Sequence, residues 1–239
     1  MVTDTAYIAD YVPDYSIMNG PFLYNDYTYI QKLADSGWHK EMITACSKQG
    51  IKILAMNWYF GSRYIISDRV IKAPSDMTGL KIRVPQNKMW IETLAAMGGN
   101  PTGLDLSEVY SGLAQGVIDA AEAPLSTIFG HKWYEVKKKF AATGHFRAFL
   151  GLEMSQVFFD TLSAAAQAVL TEEAENSGKI CSKLTAQTES DWQKKLEEAG
   201  AVFNDVDIKA FQDACAVVYT KFPEWSPGLY DKIKKELDK

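Results

Sequence analysis

Short apolar runs alternate with amphipathic stretches, which predicts an α/β fold with largely parallel sheets and a helical C-terminal tail. Three features carry this expectation. Residues 51–56, 63–67 and 80–84 are β-type runs bounded by glycine or proline. Helical stripes lie between and around them. From about Leu162 the rhythm changes to helix alone.

Taken in order, Asp26 is placed to cap a helix with Ile30, Leu33 and Ala34 inward, ended by Gly37. A second helix carries Met42, Ile43 and Cys46 and stops at Gly50. The strands at 51–56, 63–67 and 80–84 follow, the last stopped by Pro85. Asn87 caps a helix with Trp90, Ile91, Leu94 and Met97 on one face, closed by Gly98 and Gly99. Ser107 caps another, with Gly116 beyond its end; Val117 and Ile118 begin a short strand, and 146–158 holds at least one more. Ile180, Leu184, Trp192 and Leu196 mark the inward face of one long helix ending before Gly200. Ile208, Phe211, Cys215, Val218 and Phe222 form a second stripe, and Ser226-Pro227 opens a last helix.

Composition narrows the function. With 25 Lys+Arg against 30 Asp+Glu in 239 residues, the chain lacks the basic excess of a nonspecific nucleic-acid binder. No run approaches the length of a membrane span. Residues 1–15 show neither a basic n-region nor an apolar h-region, so no signal peptide is read there. Cys46, Cys181 and Cys215 are far apart and read as small buried hydrophobes. Signatures of phosphate loops, nucleophile elbows and zinc helices are absent. His39, His131 and His145 have no partner at metal-ligand spacing, so neither metal nor cofactor is expected.

Arg83 is the most informative residue. It lies one position from the end of a strand expected to be covered on both faces, where a guanidinium requires an anion. Two readings stand: a salt bridge to a protein carboxylate, or a bidentate clamp for a ligand carboxylate. Arg63, twenty residues earlier, offers a second positive group. Trp58, Tyr59 and Phe60 are placed just after a strand, where open α/β sheets bind ligands, although plain core is the default for aromatics.

Three segments, DMTGLKIRVP (76–85), GGNPTGLDLSEVYSGLAQGVIDAAEAPLSTI (98–128) and FAATGH (140–145), together resemble the solute-binding proteins of TRAP transporters. The likeness runs from near Tyr11 to the C-terminal helices. It implies a two-lobed periplasmic-binding-protein-like fold with a long interlobe helix and a helical tail. The implied division is 1–62 as lobe I, 63–145 mainly lobe II, 146–160 as return strands, and 161–239 as bridging and C-terminal helices. It further implies a non-enzymatic receptor, periplasmic or extracytoplasmic, that delivers an organic acid to membrane permease subunits.

Residue by residue, the family's carboxylate-binding arginine matches Arg83, and an arginine in a G-x-R segment matches Arg63. The polar contact of the family's E-N-P turn falls on Ala123, beside Glu122, and its bulky aromatic falls on Leu106. Trp58 and Tyr64 join these as expected ligand contacts. With Ala123 in place of a polar residue and aromatics near Arg63, the expected ligand is an apolar monocarboxylate ahead of a sugar acid. The resemblance also implies that a strand–helix–strand unit found in relatives is absent from the first lobe, with a homodimer as one means of completing it. The competing reading is an enzyme on a similar scaffold, with Glu122, Asp119 or Asp105 as a base.

Overall fold

The computed structural model describes residues 1–238. In chain order the elements are β1 (Val2–Asp4), α1 (Thr5–Ile8), α2 (Tyr29–Ala34), α3 (Gly37–Lys48), β2 (Ile51–Ser67), β3 (Lys81–Val84), α4 (Lys88–Ala96) and β4 (Asn100–Gly103). Then come α5 (Val109–Gln115), β5 (Ala120–Pro124), α6 (Leu125–Gly130), β6 (Lys139–Ala141), β7 (Arg147–Ser155), α7 (Gln156–Asp160) and α8 (Ala164–Glu198). The chain closes with β8 (Val202–Asn204), α9 (Ile208–Cys215) and α10 (Leu229–Leu237).

Two compact units emerge. The first holds residues 1–60, 147–187 and 223–239; the second holds 61–146 and 188–222. In the first, β1 pairs antiparallel with β7, and β7 lies beside β2. In the second, β5 and β6 pair antiparallel with β2, while β3 pairs parallel with β4 and β5. The pairing is therefore mixed, not largely parallel as expected.

The two strands expected at 51–56 and 63–67 are one strand of 17 residues. Gly61 continues the strand with φ +123°, a conformation open to glycine and costly for other residues. A Cβ there would stand 3.1 Å from Pro124 Cβ on the neighbouring β5. Trp58, Tyr59 and Phe60 consequently lie within the strand, not after it.

Other boundaries shifted for local reasons. Gly37 opens α3 instead of ending α2, because Ser36 accepts a hydrogen bond from His39 N (3.1 Å) as N-cap. Asp26 accepts from Thr28 N at 2.7 Å, but it is Thr28, two residues later, that stands at the N-cap of the helix Asp26 was expected to cap. Ser107 lies inside a short 3-10 turn, Leu106–Glu108, that precedes α5, and the strand expected at Val117 starts at Ala120. Gly228, with φ +74°, displaces Ser226-Pro227 as the start of α10. The caps expected at Asn87 and Gly116 are present: Asn87 accepts from Met89 N at 2.9 Å, and Gly116 is left-handed.

In the second unit, Ile66, Val109, Leu113, Trp133, Phe140 and Leu196 belong to one buried cluster. In the first, α10 lies against α2, and Trp225 Nε1 donates to Ser16 Oγ at 2.7 Å. Cys46 and Cys215 are buried, as expected, and burial pushes both thiols up to about 12; Cys181 is half-buried.

The expected inward face of α8 is only partly correct. Leu196 is buried, but Ile180 and Leu184 are more than half exposed. Within the first unit, Ala174 and Ser182 face inward instead, and polar contacts with β2 set that face. Ser182 Oγ donates to Asn57 O at 2.6 Å and accepts from Tyr59 N at 2.9 Å. Asn57 Nδ2 donates to Glu175 O at 3.1 Å, and Trp58 Nε1 to Ala174 O at 3.2 Å.

Gly178 permits this approach, since a Cβ there would fall 1.9 Å from Asn57 Oδ1. Gly178→Ala should therefore destabilise the protein by about 1–3 kcal/mol through overpacking. An open helix site would show a gain from the same change. A urea midpoint that rises, with unchanged slope, would contradict the close-approach assignment.

Candidate functional site

The second unit brings Arg63, Glu122 and His145 into one buried cluster. Arg63 sits near the C-terminal end of β2 and Glu122 at the centre of β5. Antiparallel register sets Arg63 opposite Pro124 and Ile65 opposite Glu122. Arg63 and Glu122 are thus diagonal neighbours on one sheet face, within reach of a long side chain. Arg63 Nε donates to Glu122 Oε2, and Nη2 donates to Oε1 at 2.9 Å, making a planar two-point fork. Glu122 is fully buried and Arg63 is 8 % exposed.

Two further groups complete the cluster. Trp90 Nε1, from α4, donates to Glu122 Oε1 at 3.1 Å, and the Trp90 ring lies 5.4 Å from the Arg63 guanidinium carbon. His145 Nε2 faces Glu122 Oε2 at 3.3 Å, while its Nδ1 stands 2.7 Å from Thr143 Oγ1. A nitrogen against a carboxylate must carry the proton, so Nδ1 accepts from the threonine hydroxyl.

Electrostatics follow from these contacts. Burial alone would raise the Glu122 carboxyl; the charge of Arg63 and the donors on Arg63 and His145 reverse this and hold it below the usual carboxylate range. Burial lowers His145 against the pull of Glu122, which keeps the imidazole neutral. With donors on both oxygens and a depressed pKa, Glu122 is a counter-ion and is badly suited to serve as a base. Asp119 is likewise engaged, its Oδ2 accepting from Lys81 N at 2.9 Å.

Arg83 is held differently. It lies near the end of β3, 5 % exposed, and Nε donates to Leu104 O at 2.8 Å. That bond fixes the guanidinium plane through the backbone just after β4.

The other expected contacts are dispersed. Leu106 is 42 % exposed and lies two residues beyond the carbonyl that holds Arg83. Ala123 is buried in the apolar cluster of the second unit; Tyr64, opposite it in register, packs on the same cluster and meets Phe203 edge-on at 6.0 Å. Trp58 belongs to the first unit, packed against Leu54, Ala55, Phe159 and Ala174. Tyr59 is buried and stacks on Tyr27. Trp58, Tyr59 and Tyr64 thus have packing partners within the protein, whereas Phe60 is 37 % exposed.

Sequence reasoning missed Trp90 and Thr143 as polar partners of the cluster. Their apolar and turn contexts concealed it; only the two-residue spacing of Thr143 and His145 hinted at a shared hydrogen bond. Among the described residues, no group of three or more His, Cys, Asp or Glu is arranged to hold a metal ion.

Comparison with known proteins adds independent findings. The model of the DctP family, bacterial extracellular solute-binding protein family 7, matches residues 1–224. The 2,3-diketo-L-gulonate-binding periplasmic protein YiaO of Escherichia coli is 33 % identical over 204 residues, covering 84 % of this chain and 62 % of its own. The chain spans about three fifths of the length of such curated relatives. A TRAP periplasmic solute-binding protein from Ochrobacterium anthropi, solved with bound L-fuconate, is 41 % identical with a TM-score of 0.94. That match covers 99 % of this chain and 78 % of the solved one. A counterpart from Fusobacterium nucleatum with bound sn-glycerol-3-phosphate is 35 % identical, with a TM-score of 0.95 and coverage of 99 % and 77 %.

Glu122→Gln would leave Arg63 buried without its charge partner, and unfolding measurements should show a loss of about 3–5 kcal/mol. The pH dependence has a defined sign. A free histidine titrates near ~6.5. Folded His145 titrates lower, so the unfolded chain binds the extra proton and stability falls as pH drops through that window. The Glu122 contribution persists above the unfolded carboxylate value and is lost only at lower pH. His145→Gln should flatten the decline in melting temperature between pH 7 and 5; an unchanged slope would show that the imidazole is not buried neutral.

Proposed function

The chain belongs to family 7 of the bacterial extracellular solute-binding proteins, and on that premise we propose that it is an extracytoplasmic receptor for a small organic acid. It would hand this acid to the membrane permease of a TRAP-type transporter. The observation that carries the reading is Arg83: a nearly buried arginine, oriented by a backbone carbonyl, at the end of a sheet strand. Held in this way, a guanidinium recognises a planar carboxylate by geometry as well as charge.

Arg63 has a supporting part in this proposal. Glu122 claims its fork, so its role is to stiffen β2 and β5 near β3, and Arg83 is the carboxylate anchor. Within the organic acids we favour a hydroxylated sugar acid. Relatives of this chain were solved with L-fuconate and L-galactonate, and Trp58, Tyr59 and Tyr64 are engaged in packing. Leu106 borders the site through the loop that carries Leu104.

Calorimetric titration with L-fuconate, L-galactonate and phenylacetate tests both claims. Saturable binding of a sugar acid, without turnover, is expected, together with a raised melting temperature. A charged hydrogen bond contributes about 1.5–3 kcal/mol, so Arg83→Ala should weaken binding at least tenfold. Arg83→Lys should recover only part of it. Wild-type affinity in Arg83→Ala would eliminate Arg83 as the anchor, and product formation would eliminate the receptor reading.

A further inference from the structure

Within the second unit, the backbone around Arg63 is held at three successive groups. Arg63 is the first residue of β2 in register with β5, opposite Pro124. Arg63 N donates to Phe146 O at 3.1 Å, and Arg63 O accepts from Gly144 N at 3.1 Å. One peptide earlier, Ser62 N donates to Glu189 Oε1 at 2.8 Å. Glu189 lies on the part of α8 that belongs to this unit.

Gly61 makes the approach of Glu189 possible. The Cβ that Gly61 lacks would stand 3.1 Å from Pro124 Cβ and 3.5 Å from Glu189 Oε1. β5 and α8 therefore both close on the β2 backbone just ahead of Arg63. The bond itself is of the strong kind, because an ionised carboxylate is a better acceptor for a backbone N–H than a neutral oxygen. It acts where the geometric demand is narrow. The Arg63 guanidinium meets Glu122 through two bonds at once, Nε to Oε2 and Nη2 to Oε1. Hydrogen bonds weaken steeply off line, so a paired, planar arrangement tolerates little displacement of either residue.

We infer that Glu189 is a positioning residue: from α8 it fixes the peptide ahead of Arg63 and so aligns the Arg63–Glu122 fork. Ser62 N is one peptide from the Arg63 Cα, so any movement that Glu189 prevents there would pass directly to the guanidinium. The 144–146 segment holds the other two backbone groups, and it also sets His145 Nε2 3.3 Å from Glu122 Oε2. Helix, strand and segment thus share one node behind the buried carboxylate. The consequence for ligand binding rests on the receptor reading above: β3, which carries Arg83, lies beside β5, so a loosened fork relaxes the strand that supports the anchor. The alignment of the fork does not rest on that reading.

Two variants and two measurements test the assignment. Glu189→Ala removes the acceptor, and Glu189→Gln keeps a side-chain oxygen at the same reach. Hydrogen exchange at Arg63 Nε–H, followed by nitrogen-15 NMR, should accelerate at least tenfold in Glu189→Ala. The amides of Ile66 and Ala121, buried and opposite each other in the same ladder, should change less than threefold. Glu189→Gln should restore most of the protection. Equal acceleration at all three sites would mean a general loss of stability, and an unchanged Arg63 Nε–H would mean that the fork aligns itself; either result overturns the proposal. In calorimetry, L-galactonate should bind Glu189→Ala at least threefold more weakly than the wild type and recover in Glu189→Gln. Unchanged affinity beside a faster Arg63 Nε–H would overturn the link from fork to anchor. If L-galactonate and other organic acids do not bind the wild type, the receptor reading fails, and the exchange measurement still decides the role of Glu189.

Discussion

The ion pair between Arg63 and Glu122 is the constraint around which the second unit is arranged. A carboxylate with no exposure to water is tolerable only if every lone pair facing the protein meets a donor. Four elements meet at that carboxylate: β5 carries Glu122, β2 and α4 supply hydrogen bonds through Arg63 and Trp90, and the 143–146 segment sets His145 Nε2 3.3 Å from it. None of them can shift alone without stranding charge. β3, which carries Arg83, lies next to β5 in the same sheet. The proposed anchor thus inherits its rigidity from a neighbour that is electrostatically locked.

Much of this was legible in the sequence because the relevant signals are local. Asn87 ahead of an apolar stripe is a cap in sequence and in structure. The long amphipathic tract after Leu162 is a helix of 35 residues. Family motifs singled out Arg83 and Arg63 by position. The partner of each arginine was out of reach. A guanidinium in a strand requires an anion, but which anion depends on strand register, and Glu122 is 59 residues from Arg63 in the chain. The pairing of β2 with β5 is a tertiary fact.

Periodicity failed where polar contacts outweighed it. Ile180 and Leu184 suggested an inward stripe on α8, yet the face set by Ala174, Gly178 and Ser182 packs on β2. Small residues give weak hydropathy signals, but they allow the helix backbone to come within hydrogen-bonding range of Asn57 and Trp58. Gly61 misled in the opposite way: a residue that usually punctuates a chain here sustains a strand. In both cases closeness of approach, not hydrophobicity, decided the outcome.

The three cysteines offer an experimental handle. Alkylating reagents attack the thiolate and require access. Cys46 and Cys215 offer neither, being buried with thiols held near 12. Cys181 is half-buried on α8, its Sγ 3.9 Å from Tyr59 O. A single spectroscopic reporter therefore attaches to the unaltered chain at the seam where helix and strand are bonded, and its signal follows that seam directly.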